Sequence, residues 1–287
     1  MYQHYTDHVN RYDPRPLPKR ALIAVTSAHK PLYKDNKETG LFITEALHPY
    51  NVFTGAGFDV DFVSETGTYQ PDWLSQQEDW LKGDDKAAWE GSKGEFRKKL
   101  DGMMKAGDVD PDQYGIFFAS AGHASLIDYP DATQLQRLAG KVYSDNGIVA
   151  AVCHGGAIFP KTVNPVTNES IIVGKKVTGF TTKGEEEEGV LDTIKSWNAI
   201  TIEQAAEKSG ATYIAPPGPW DAFTITDDRI VTGANPASAT VTAEATLKAF
   251  NDLDNHDPKV ADIEKKNEGD EFPKARNVPG AQQQHSV

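Results

Sequence analysis

The chain has 287 residues, a formal net charge of -13 and a single cysteine. That length accommodates one large α/β domain or two small ones, either able to bury a sizeable core, and one domain is favoured. The acidic balance argues against nucleic acid or an anionic membrane as partner, because phosphate-driven binding needs excess Lys and Arg. No stretch approaches the roughly 20 apolar residues of a membrane helix.

Residues 1–19 form a polar, proline-bearing arm without the apolar segment of a signal peptide. The cytosol is therefore the expected compartment, with the nucleus as a second one. A lone cysteine fits a reducing environment. "ALIAVTS" (21–27) is a short continuous apolar run, the pattern of a buried parallel strand. "LFITEALHPYNVFTGAG" carries helical periodicity ending near Gly55 or Gly57, and "DVDFVSE" (59–65) is the next strand. From 71 to 112 the chain is polar and charged with Trp73, Trp80 and Trp89 spread through it, which predicts a helical excursion with aromatic anchors.

"YGIFFASAG" returns to a buried strand, "PDATQLQRLAGKVYSDNG" to a helix opened by Pro130, and "IVAAVC" to a further strand ending at Cys153. "SIIVG" and "KVTGF" suggest a hairpin or bent strands, and a helical segment follows over about 189–210. "TYIAPP", "FTITDDRIVTG" and the helical "ATVTAEATLKAFNDL" complete the sheet pattern. This alternation predicts a mostly parallel sheet with helices on both faces, occupying residues 20–255. The tail 256–287 has too few apolar residues to pack firmly.

Ligand sites in open parallel sheets lie beyond the carboxyl ends of the strands. Cys153 sits at such an end, and Ala151 and Gly155 permit the sharp strand-to-helix turn of a nucleophile elbow. A helix N-terminus directly after it would favour thiolate. A thiol nucleophile needs a proton partner. Downstream lie only His154, His256 and His285, the last two in the polar tail, so the imidazole is His154 or an upstream residue such as His123 in "SAGHAS". Gly122 and the N–H of His154 are candidates for an oxyanion hole.

Glu45 lies on a helical stripe with Leu41, Phe42, Pro49 and Val52, so burial is expected to raise its pKa and let it exchange a proton with thiol or substrate. Glu185–Glu188 is a charge run in which one residue could orient an imidazole, and spacing does not choose it. The sequence contains no metal-ligand motif, P-loop or dinucleotide fingerprint.

With these residues in place, the chain resembles the ThiJ/PfpI superfamily, and within it the fungal heat-shock-protein-31-like glyoxalase III branch. The resemblance is carried by "TGLFITEALHPYNVF", "GFDVDFVSETG", "FFASAGHASLIDYP", "VAAVCHGGAIF", "VTGF" and "APPGPWDAFTITDDRIVTGANPASA", in order over roughly 20–252. It implies a flavodoxin-like α/β sandwich, usually dimeric. It also implies Cys153 as nucleophile, His154 as adjacent histidine, Glu185 as its orienting carboxylate, Glu45 as the carboxylate that contacts the thiol, and Gly122 with His154 at the oxyanion site. The implied activity is glutathione-independent, cofactor-free conversion of methylglyoxal (or glyoxal) to a hydroxy acid, D-lactate from methylglyoxal. Either Glu45 or His154 would act as the proton-transfer base. The zinc ligands of bacterial members cannot be placed here. A holding chaperone or redox sensor with misfolded-protein clients, and a Cys-dependent deglycase or peptidase, are the competing readings.

Overall fold

The computed structural model describes residues 16–254. The expected tail 256–287 and nearly all of the expected arm lie outside them. In chain order the elements are β1 (Arg20–Ala24), β2 (Lys30–Pro31), β3 (Glu38–Thr39), α1 (Ile43–Gly55) and β4 (Asp59–Ser64). Next come α2 (Gly83–Glu90), α3 (Glu95–Asp101), β5 (Met104–Lys105), β6 (Ile116–Ala119), α4 (Ser125–Asp128), α5 (Thr133–Ser144) and β7 (Ile148–Val152). The remainder is β8 (Lys176–Val177), α6 (Thr182–Glu187), α7 (Leu191–Ser196), α8 (Ile202–Lys208), β9 (Thr212–Tyr213), β10 (Thr224–Asp227), β11 (Ile230–Gly233) and α9 (Ala239–Asp254).

Seven strands form one sheet in the order β10-β11-β7-β6-β1-β4-β5. All neighbours pair in parallel except β10, which runs antiparallel to β11 at one edge. The central strands are apolar on both faces, as expected when helices cover both. On one face Leu22, Phe117, Val149 and Ala151 pack with Leu135, Leu138 and Val142 of α5. On the other, Ile23, Phe118, Ala150 and Val152 pack with Leu47 and Phe53 of α1 and with Ala243 and Phe250 of α9. The fold is thus α/β with a mostly parallel sheet, as the strand–helix rhythm predicts, and flavodoxin-like, as the resemblance implies.

Several local expectations fail, each because a competing contact wins. No hairpin forms from "SIIVG" and "KVTGF": Ser170 bridges back to Val163, while β8 pairs with β9. "TYIAPP" therefore lies outside the main sheet, its strand reduced to the two residues of β9. The single helix expected over 189–210 is two, because Thr201 starts a fresh capping box with Gln204. Pro130 lies in a 3-10 turn, Tyr129–Asp131, and α5 begins only at Thr133.

Candidate active site

The carboxyl ends of β6 and β7 deliver the two segments that build the site. β7 ends at Val152, and Cys153 follows with φ 57°, a left-handed conformation that costs energy for any residue with a Cβ. Gly155 makes the turn possible, since a Cβ there would lie 2.3 Å from the Ala119 carbonyl oxygen. The expected α-helix does not start at this point. Cys153–Lys161 is 3-10 instead, which weakens the dipole argument for a thiolate.

β6 ends at Ala119, and the following loop reaches Gly122 at φ 144°. A Cβ on Gly122 would lie 2.0 Å from the Gly40 carbonyl oxygen, so glycine alone allows this loop to press against residues 40–42. The Phe42 amide donates to the Ala121 carbonyl at 2.8 Å, tying the start of α1 to the same loop. Glu45, in the first turn of α1, is thereby carried into the site. It is fully buried, as the apolar stripe predicts.

The wild-type side chains converge closely. Cys153 Sγ lies 3.2 Å from His154 Nδ1, and His154 Nε2 lies 2.7 Å from Glu185 Oε1. The second oxygen of Glu185 is 2.8 Å from His123 Nε2, so two imidazoles share one carboxylate. Their ring centroids are 4.1 Å apart. Sequence reasoning treats His123 as the alternative to His154, and the structure brings both to Glu185. α6 resolves the acidic run: Glu185 is buried, Glu186 and Glu187 are exposed, and Glu188 is half-buried with Oε2 3.7 Å from His123 Nε2. Thr181 caps α6 by accepting from the Gly184 amide at 2.8 Å, which fixes the helix start that presents Glu185.

Burial sets the electrostatics first, and neighbouring charges then divide the groups. Burial pushes the Glu45 carboxyl up to about 8, only partly offset by the Cys153 thiol, the positive field of His123 and the Ala121 backbone. Burial also pushes the Cys153 thiol up, reinforced by the charges of Glu45 and Glu185 and opposed by the His154 amide. Both effects favour the protonated thiol and work against the thiolate expected at an elbow. At Glu185 burial works upward, but the two histidines outweigh it and hold the carboxylate at about 2.

Asp72, Phe180 and Trp220, to which sequence reasoning assigns no role, complete the surroundings. Asp72, fully buried, accepts from the Tyr33 hydroxyl at 2.9 Å and from the Ser75 amide at 2.9 Å. Phe180 lies 4.8 Å from the His154 ring, and Trp220 stacks edge-on against Phe180 at 5.4 Å. Trp220 is 38% exposed and forms an aromatic rim. Donor atoms of His123, His154 and Glu185 lie within 4.8 Å of one another. Both Glu185 oxygens are already engaged by the imidazoles, so hydrogen bonding accounts for the whole cluster.

The DJ-1/PfpI family profile matches residues 40–249. The chain belongs to the DJ-1/PfpI family. It is 51% identical over 231 residues to Glyoxalase 3 of Candida albicans, covering 80% of this chain and 98% of that protein. It is 47% identical to the glutathione-independent glyoxalase HSP31 of Saccharomyces cerevisiae, covering 81% of this chain and 98% of that protein. The crystal structure of the Candida albicans glyoxalase III superposes with a TM-score of 0.79 over 80% of this chain and 97% of that one. The Francisella tularensis Rapid Encystment Protein, at 26% identity, superposes with 0.70 over 80% of this chain and 98% of that one.

Proposed function

We propose that this DJ-1/PfpI protein is a glutathione-independent glyoxalase III that converts methylglyoxal to D-lactate. The observation that carries the reading is Cys153 set between two proton carriers, the His154 imidazole at 3.2 Å and the buried carboxyl of Glu45. The names of the fungal relatives support it.

The Cys153 sulfur adds to the aldehyde carbon while its proton passes to His154 Nδ1, giving a hemithioacetal. Gly122 and the backbone N–H of His154 are read as donors to the resulting oxyanion. Deprotonated Glu45 removes the proton from C1 while the His154 imidazolium gives the former thiol proton to the C2 oxygen, and an enediolate results with its C1 oxygen still at the oxyanion site. Return of a proton to C2 then yields an S-lactoyl thioester. Water hydrolyses that thioester, releasing lactate and restoring the thiol. Methylglyoxal plus water equals lactic acid, so electrons move only within the substrate.

Residues 20–255 are read as the catalytic unit, acting as a homodimer in the cytosol. The resemblance to usually dimeric family members supports the first part, and the lone cysteine supports the second. Among the described residues no helix is long and apolar enough to cross a membrane.

The deciding experiment is purified protein with methylglyoxal and no glutathione, followed by a D-lactate-specific coupled assay beside Cys153→Ala. Lactate from wild type and none above background from the variant is expected. A wild type that makes no lactate would remove the glyoxalase reading.

A further inference from the structure

Two imidazoles on one carboxylate raise the question of which ring carries charge. Ionised Glu185 only accepts hydrogen bonds. Both Nε2 atoms, at 2.7 and 2.8 Å from its two oxygens, are therefore assigned as protonated. A neutral ring protonated at Nε2 has a bare Nδ1, and in His154 that atom faces Cys153 Sγ at 3.2 Å. Two imidazolium ions 4.1 Å apart in a buried space would repel strongly, so one positive charge is accommodated and two are not.

The neighbours of each ring decide where it resides. Facing His123 are Glu185 from α6 and Glu188 directly after it, Asp72 from the segment before Ser75, Glu45 from α1, and the His154 ring beside Cys153. His154 has Glu185 as its only carboxylate at ion-pair distance among the described residues, with the thiol and the His123 ring on its other sides. Building on the glyoxalase reading, we propose that His123 is a positioning residue that holds the single positive charge of the site, keeping His154 neutral with Nδ1 ready to accept the Cys153 proton.

The direction of the titrations agrees with this division. Burial opposes charge on both rings. At His123 the fields of Glu185, Glu188 and Asp72 reverse it and raise the ring to about 9. At His154 burial and the charge of His123 together outweigh Glu185 and lower the ring to about 4. Without His123, Glu185 would be left to His154 alone and the repelling charge would be gone. His154 would then protonate nearer neutral pH and lose its capacity to take the thiol proton.

The test is a side-chain 15N titration of histidine-labelled full-length protein, wild type beside His123→Gln, with the pH dependence of lactate formation from methylglyoxal measured on both. Wild type at pH 7 is expected to show His123 with both ring nitrogens protonated and His154 with one. In His123→Gln the His154 midpoint should rise by about one pH unit or more, and the acid limb of kcat/KM should move up with it while KM stays within a few-fold. A structural role alone would lower activity without moving that limb. Doubly protonated His154 in wild type at pH 7, or an unmoved His154 midpoint in a folded variant, would overturn the assignment. The spectra need no turnover, so a wild type that made no lactate would count against the glyoxalase reading while the ring charges were still decided.

Discussion

Glu45 and Cys153 meet in a buried space, the carboxylic residue 0% exposed and the thiol residue 4%. Neither carboxyl oxygen has a hydrogen bond of ordinary geometry among the described residues, and the Cys153 thiol is a side chain that faces them. α1 brings Glu45 here from more than a hundred positions upstream of the elbow.

This contact predicts a trade between stability and activity. Burial holds the Glu45 carboxyl protonated to about 8 in the fold, whereas the unfolded chain ionises it from about 4.5. Between those values the unfolded state binds fewer protons, so stability falls as pH rises, by up to about 1.4 kcal/mol per pH unit from this group. Gln cannot ionise. Glu45→Gln should therefore gain stability relative to wild type progressively from pH 5 to 7.5, read as a widening difference in Tm. Its kcat should drop about 10²- to 10⁴-fold with the proton carrier removed. A Tm difference independent of pH would show that Glu45 is ionised throughout.

Glu185→Gln keeps the shape of the shared acceptor and removes its charge. One amide group must then face an Nε2–H with its own N–H, so one imidazole loses its fixed tautomer. If His154 turns, Nδ1 no longer addresses the thiol. The expected outcome is a kcat loss of about 10³-fold or more with KM changed far less, measured in the lactate assay on variant confirmed folded by circular dichroism. A kcat within threefold of wild type would show that Glu185 does not orient His154.

The elbow predicts a steric effect. Gly155→Ala places a Cβ 2.3 Å from the Ala119 carbonyl oxygen and 3.3 Å from the Ala119 Cβ, against the backbone of a central strand. Backbone of that kind yields poorly, and destabilisation of about 2 kcal/mol or more is expected from urea melts. Gly57→Ala is a useful contrast: it has φ 80° but nothing within 4 Å of the added Cβ, so it isolates backbone strain from collision. A Gly155→Ala loss no greater than that of Gly57→Ala would show that the Ala119 contact relaxes to accept the added Cβ, since Gly155 itself has no left-handed φ.

The parallel core was legible because 21–24, 116–119 and 148–152 are continuous apolar runs, which only strands covered on both sides carry. The elbow was legible because Cys153 ends such a run and Gly155 follows. The small β8–β9 sheet was not, since Thr212 and Tyr213 have strand-like composition but their partner is chosen by distant packing. Burial of Glu45 could be read from one helical stripe. The sharing of Glu185 could not: it joins residues 123, 154 and 185 from three elements, and a pattern along the chain offers His123 and His154 only as alternatives. Selection of Glu185 from its run likewise came through family resemblance, because which face of the short α6 turns inward depends on the Thr181 cap and the histidines it meets.

Cys153 is the single cysteine of the chain, so alkylation reports on it alone. Burial and the charges of Glu45 and Glu185 push its thiol up, and the side chain is enclosed. Iodoacetamide should therefore modify native protein at pH 7.5 at least about tenfold more slowly than urea-unfolded protein, whose thiol titrates near 8.5. The native rate should still be climbing above pH 9. In Glu45→Gln the negative neighbour is absent at high pH, so the same climb should begin at lower pH. Mass spectrometry of timed aliquots gives these rates without turnover. A native rate that levels off below pH 7 would mean a resting thiolate, and proton transfer to His154 would then precede substrate binding instead of accompanying attack on the aldehyde.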